Sequence, residues 1–474
     1  MNLDYKPLKN LPPLAGLCSF DEAMKPGLPV QVVVNRLKRY HFTLRRLWKI
    51  LNARLAAEPI YELKMAFSLH EHLIAEHTSA MRDRVAEMRH PPLGLDKIPD
   101  DNLATFFDEI QSAPNTHALL AGIYGKAIPS LVAAFDRHLE ETNRLADAPT
   151  VRVLRFAKLE MVDLIEWGQT AVACLESEAA PETEVWLGEL DAWLVAAGDL
   201  DGSAAAGKPP APRYSAKPFE YPRTPVRDER FPDPFNMGVH AEEFLYDESF
   251  PDREKTLMMY FKRLREIDVP EMMASILYEI EGKPWGFYRE MTRQLWDEAR
   301  HAMMGEVGFL SIGIDWPKFV RLNHTWAKGL NEQLTPKERH AVLWFIEQGL
   351  MHKTGKRFEW EVGERSGDPL SVLFQDYDWA DEVLHARIGR DWYVSEFDDD
   401  VAAAKEYGSS CWSKVVSGWE DWKRDGLTEH ENWWPNLYRE WCRVRGEEPK
   451  KEILAYDKTY AETRADLKRI AASA

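Results

Sequence analysis

The sequence predicts an all-α protein, and three observations carry that expectation. Long stretches place apolar residues three and four apart, the spacing of one helix face. Alternation of the kind that marks half-buried strands is scarce. Prolines, as at Pro59 and in the "HPP" of His90–Pro92, fall between the periodic stretches. With 474 residues, the chain is long enough for two or three cores. Its 18 tryptophans favour helices packed around large anchors.

Residues 1–30 are punctuated by proline and read as irregular. Residues 31–200 form a helical domain. "HFTLRRLWKILNARL" and "YELKMAFSLHEHLIAEHTSAMRDRVAEMR" are separated by Pro59, and "HPP" ends the second. A further hairpin turns at Asp147–Pro149. Residues 201–234 are rich in Pro, Ala and Gly and read as a linker. Residues 235–400 resume the helical pattern, with "PEMMASILYEIEG" and "WGFYREMTRQLWDEARHAMMGEVGFL" flanking a turn at Gly282–Gly286. "TPKERHAVLWFIEQGLMHKTGKRFEWEVGE" reads as one long helix, capped by Thr335 with Pro336 as its first residue. "RSGDP" then turns the chain into "LSVLFQDYDWADEVLHARIGRDW". Residues 401–474 form a Trp-rich, helix-prone extension expected to dock on this bundle.

The formal charge of −18 disfavours nucleic acid and anionic membranes as partners. No window approaches 18 apolar residues and the start lacks a signal peptide's apolar run, so the expectation is a cytoplasmic protein that spans no membrane. The four cysteines form no C-x-x-C pair, which argues against a zinc knuckle or a disulfide framework. "GSAAAGK" has the spacing of a phosphate loop, but two prolines follow it and no strand precedes it.

One frame occurs twice. "DEARHAMMG" at Asp297–Gly305 and "DEVLHARIG" at Asp381–Gly389 both read D-E-x-x-H-A-x-x-G. On a helix, Glu298 and His301 share a face, as do Glu382 and His385. Two such helices, with one carboxylate from each of two others, make a dinuclear metal box inside a four-helix bundle. About one E-x-x-H is expected by chance in a chain of this composition. Glu87–His90, beside "HPP", is read as that accident. Counting back across the turn near Pro284 makes Glu271 level with Glu298, with Glu279 as the competitor. Glu347, inside the apolar run "VLWFIEQGLM", supplies the fourth carboxylate, with His352 and Glu359 as fallbacks. Four carboxylates balance two divalent cations, and six O/N ligands without thiolate favour iron or manganese over structural zinc. Asp297 and Asp381 are placed to orient the histidines crosswise, Asp297 on His385 and Asp381 on His301, or else to be solvated acids. Gly305 and Gly389 permit close helix approach or leave space for a small substrate. Tyr278, Trp344 and Trp379 serve the core, or else line a pocket or relay electrons.

This set, E, E-x-x-H, E, E-x-x-H, resembles the ferritin-like carboxylate-bridged diiron superfamily, and "PEMMASILYE…PWGFYREMTRQLWDEARH" is similar to bacterial ferritin-like proteins of uncharacterised function. The resemblance covers residues 265–395. It implies a ferritin-like four-helix bundle, two Fe ions (or Mn/Fe) held by Glu271, Glu298, His301, Glu347, Glu382 and His385, and O2 or peroxide chemistry. Laying "AEHTSAMRDRV" on "DEARHAMMGEV" suggests that the first half is a degenerate copy of the bundle. Glu76 then falls on Glu298, Ser79 on His301, and Glu160 on the second motif. Lys49 and Ala133 stand where carboxylates are needed, so that copy is expected to hold no dinuclear centre. His70, His72 and His77 are expected at polar positions of a domain interface, or else in a metal or catalytic role.

The expected function is therefore a diiron oxidase or oxygenase acting on a small organic molecule, with O2 as co-substrate, an electron-donor protein, and a homodimer as a compatible assembly. Its rivals are a ferroxidase or metal-handling protein, and a scaffold that metal merely stabilises.

Overall fold

The computed structural model describes residues 5–460 apart from 234, 324, 352–354, 425 and 427–429. The protein is all-α: helices follow one another along the chain, with no strand among the described residues. The chain divides into two compact units. One comprises Met1–Leu51 and His70–Glu220, the other Asn52–Leu69 and Tyr221–Ala474. The division passes through the first two long helices, α1 (Val30–Ala57) and α2 (Tyr61–Met88).

In the first unit, α3 (Asp101–Gln111) is capped by Asp100, whose side chain accepts from the Leu103 N–H. A continuous rod follows, Thr116–Gly122, a π-helical turn Ile123–Ala127, then α4 (Ile128–Glu141). By length and composition this rod could cross a membrane, with mean hydropathy 1.6, which the sequence expectation missed; 67% of that window is buried inside the protein. The burial marks it as a core helix. α5 (Ala148–Cys174) packs on α4, and α6 (Pro181–Ala196) packs on α3. Glu109 is buried and anchors the segment after α6. It accepts from the backbone N–H groups of Arg213, Tyr214 and Ser215 and from Trp186 Nε1.

The second unit is built on four rods. The first is α7 (Asp252–Arg265) continued by α8 (Asp268–Glu279) after a break at Glu266 and Ile267. The second is α9 (Trp285–Ser311). The third is α10 (Pro336–Leu350) continued by α11 (Lys356–Ser366), and the fourth is α12 (Pro369–Trp392). The long helix expected from Thr335 onward is thus two helices. Gly355 starts the second half in a conformation where a Cβ would lie 2.1 Å from the Leu350 carbonyl oxygen. Thr335 does cap α10, in a capping box with Glu338. Rods one and three lie side by side, α7 against α11 and α8 against α10, so they run antiparallel; α9 and α12 also pack together. A long connection, residues 312–335, joins the second rod to the third.

Glycine sets the closest approach. A Cβ on Gly305 would lie 2.1 Å from the Leu264 backbone nitrogen, and one on Gly389 would lie 2.2 Å from Trp344 Cδ1. Close packing, rather than open space, is what these two motif glycines provide. Trp344 is itself a core residue against Tyr393, Tyr278 stacks on Tyr221, and Trp379 meets Trp360. The Trp-rich tail contributes Trp433, Trp434, Leu437, Tyr438 and Trp441 to a core shared with Phe244, Phe261 and Phe309.

Candidate metal centre

The repeated frame lies on α9 and α12, which face each other at the centre of the second unit. Their inner faces bring Glu298, His301, Glu382 and His385 together, all buried. Glu347 arrives from α10, three residues before its end. One ligand atom each from Glu298, Glu347, Glu382 and His385 fits within 4.8 Å of the others; the same holds for Glu266, Glu298 and His301, and for His301, Asp378 and Glu382. Glu298, His301 and Glu382 each belong to two groups; His301 joins the latter two groups into one half, and Glu298 and Glu382 are the residues that half shares with the first group.

Glu271 is not part of it. Its carboxylate takes Lys64 Nζ at 2.9 Å and Arg227 Nη2 at 2.8 Å. Glu266 occupies the place instead. The reason is the loop between the rods. Glu298 lies thirteen residues into α9 from Trp285, and Glu266 lies thirteen residues before the end of α8 at Glu279. Counting from the turn at Pro284 treats the non-helical residues 280–284 as helix and displaces the level position by five. Glu279, the competitor of Glu271, pairs with Arg339 and Arg223, and Glu359 pairs with Lys262. His352 lies outside the described residues.

Besides Glu266, two residues of the site were not singled out from the sequence. Asp378 stands one turn before Glu382 on the same buried face of α12, and its spacing could have revealed it. Lys356, the first residue of α11, places its buried ammonium 2.9 Å from Asp378 Oδ1 and 2.8 Å from Glu382 Oε1. Only the broken third rod puts it there.

The two aspartates of the frame act crosswise. His301 Nε2–H donates to Asp381 Oδ2 at 3.0 Å, and His385 Nε2–H donates to Asp297 Oδ2 at 3.4 Å. A carboxylate only accepts, so Nε2 of each ring carries a proton, and Nδ1 turns inward. Arg300 ties the pair together through Asp297 (2.6 Å) and Asp381 (2.7 Å).

The inward atoms lack hydrogen bonds. Glu266 Oε2, Glu298 Oε1, His301 Nδ1, Glu347 Oε2, Asp378 Oδ2, Glu382 Oε2 and His385 Nδ1 are all buried without a hydrogen-bond partner. Some are near neighbours: His385 Nδ1 is 3.1 Å from Glu298 Oε1, and His301 Nδ1 is 3.4 Å from Glu266 Oε2. An unprotonated Nδ1 and a carboxylate oxygen are both acceptors, so no hydrogen bond forms between them until a proton is added. Stranding one buried polar atom costs about 1–3 kcal/mol. Seven in one place are costly unless something positive sits among them.

Protonation follows the same logic. Burial lowers the His301 pKa, but Asp381, Glu266 and Glu298 outweigh it and hold it at about 10. His385 is likewise held well above its ordinary value, by Asp297, Glu298 and Glu382 against burial. Burial and the neighbouring Glu382 push Glu347 well up. Burial would raise Glu382 too, but Lys356, Glu347 and His385 bring it well down. Protons thus fill part of the role of a cation here, and a metal ion entering the box must release them.

In the first unit, Glu160 accepts from His77 Nε2 at 2.6 Å, and His70 Nδ1 pairs with the Tyr124 hydroxyl at 2.7 Å. The three convergent groups found among the described residues all lie in the second unit. Comparison with known proteins adds no relative: no family model, no curated protein and no solved structure matches the chain.

Proposed function

We propose that the chain is a ferritin-like dinuclear metal oxidoreductase that uses O2 or peroxide to oxidise a small organic molecule. The observation that supports this best is the convergence of Glu266, Glu298, His301, Glu347, Glu382 and His385, from all four rods, with one unsatisfied buried atom each. These donors fit two hard-to-borderline cations: four carboxylates balance two divalent charges, and no thiolate is present. Iron or manganese ions held there supply redox chemistry toward O2 or peroxide.

The chain's own residues do the rest. Glu298 and Glu382 span the two halves, while Glu266 with His301 and Glu347 with His385 close the ends. Asp381 and Asp297 fix the imidazole tautomers and raise ligand basicity, and Arg300 fixes the aspartates. Gln294 Nε2–H donates to Glu347 Oε1 at 3.2 Å and steadies its other oxygen. Five of the six donors are buried and Glu266 is half-buried, which limits access of bulk water and strengthens the charge interactions inside. Anaerobic Fe(II) loading followed by a pulse of O2 tests the reading. O2 uptake with transient visible absorption is expected. Bound metal with neither response would overturn it.

One observation favours a second reading, a buried ionic network that holds the bundle without metal. Lys356, Lys262 and Arg263 already pair with Asp378, Glu359, Glu266 and Glu382. That reading expects full thermal stability after exhaustive chelation and no metal-dependent rise in Tm.

A further inference from the structure

The two halves of the box are unequal. Around Glu298, Glu347 and His385, no lysine or arginine among the described residues pairs with either carboxylate; Gln294, Glu382 and the histidines are their polar neighbours. The half made by Glu266, His301 and Asp378 already contains fixed cations. Lys356 Nζ lies 2.9 Å from Asp378 Oδ1, 2.8 Å from Glu382 Oε1 and 3.8 Å from Glu266 Oε1. Arg263 reaches Asp378 and holds Glu266 Oε1 at 2.9 Å.

Glu382 shows the consequence most plainly. Its Oε2 is unpartnered and sits 3.6 Å from His385 Nδ1, free to serve the Glu347/His385 half. Its Oε1, the oxygen that a bridging role would direct to the other half, is held by Lys356. An ammonium there occupies one corner of the second position and repels a divalent ion placed beside it. Lys356 is not there by accident of length. Its side chain lies on the inner face of α11 together with Glu359, Val362 and Gly363, all buried.

We propose that Lys356 is a built-in cation that makes the box load in sequence. The Glu347/His385 half takes the first metal ion, and the Glu266/His301 half takes the second only when the Lys356 ammonium leaves Glu382. The inference rests on the dinuclear reading above and adds a positioning residue to it. It gives the two positions different affinities, the condition under which a mixed Mn/Fe pair can assemble in a fixed order.

The test is an anaerobic titration of the full chain with Mn(II) alone, and separately with Fe(II) alone. Free Mn(II) is followed by its paramagnetic resonance signal, and bound metal is counted after desalting. The wild type is expected to bind one equivalent tightly and a second at least about tenfold more weakly, as repulsion by a unit charge at contact distance implies. Lys356→Met should bring the second equivalent to within about threefold of the first, and Lys356→Arg, which keeps the charge, should not. His301→Ala should remove only the weak equivalent, and His385→Ala the tight one. If Lys356→Met fails to fold, Lys356→Gln, which removes the charge but keeps a hydrogen-bond donor for Asp378 and Glu382, gives the same comparison. Two equal equivalents in the wild type, or a weak second equivalent that Lys356→Met leaves unchanged, would overturn the role of Lys356 while leaving the metal reading standing. No binding by any of these proteins would overturn the metal reading and this inference with it.

Discussion

Both units bury histidine and glutamate on helices, yet they arrange them differently. In the first unit three such groups are served locally: His77 has Glu160, His70 has Tyr124, and Glu109 gathers three backbone N–H groups and an indole. Buried atoms left without a hydrogen bond there, such as both ring nitrogens of His41 and His117, belong to none of the convergent groups. In the second, two histidines and five acids gather buried atoms without a hydrogen bond into three convergent groups. Burying charge does not by itself make a site; what marks one is several buried lone pairs aimed at the same point. The E-x-x-H frame matters because it sets two such lone pairs on one helix face, and its duplication brings two faces together.

The largest effect that would sharpen this contrast is expected at Glu298, which belongs to two of the convergent groups. Glu298→Ala should weaken metal binding by more than about 100-fold, since even outer partners of metal ligands are worth about 10–100-fold. His77→Ala should leave metal binding unchanged. Equilibrium dialysis against Mn(II) reads both, and equal losses would erase the distinction between the units. Next comes Asp297→Asn, which keeps the shape but gives up the carboxylate facing His385 Nε2. About 10–100-fold weaker binding is expected. An unchanged affinity would reduce Asp297 to a partner of Arg293 and Arg300.

Gly305→Ala should cost about 1–3 kcal/mol in denaturant unfolding, because its methyl group must push the Leu264 backbone away from α9. A neutral result would mean that α7 is not held against α9 as closely as the structure shows. A smaller effect concerns acid. Burial lowers His41 and His70 to about 3, in His41 with help from Arg45. Both folded-state values lie below the unfolded value near 6.5. The unfolded chain therefore binds protons first, so their stabilising contribution is complete above about pH 6.5 and is lost as pH falls toward 3. His70→Phe should flatten that limb of a stability–pH curve, and an unaltered slope would remove His70 as a contributor. The smallest change is expected from His77→Ala on stability itself, about 1 kcal/mol or less, because Glu160 is partly exposed.

Much of this was readable from residue order. The all-α class followed from helical spacing, and five of the six converging donors followed from the duplicated frame and from a lone Glu in an apolar run. What escaped notice did so for physical reasons. Glu266 was missed because helix rise applies only to helical residues, and residues 280–284 do not advance the chain along a rod axis. Lys356 was missed because Met351 and Gly355 break what periodicity reads as one continuous helix. A lysine among carboxylates also looks like a surface pair until burial is known. The apolar rod Thr116–Glu141 shows the converse: composition alone does not distinguish a core helix from a membrane span, and packing does.

The most direct test of the central claim is an anomalous difference map from crystals grown with Mn(II) or Fe(II), recorded at the edge of the added metal. A peak about 2.1 Å from His385 Nδ1, between Glu298, Glu347 and Glu382, is predicted, with a second and weaker one beside His301 and Glu266. A map with no peak among these residues, from crystals that contain the metal in solution, would contradict the account.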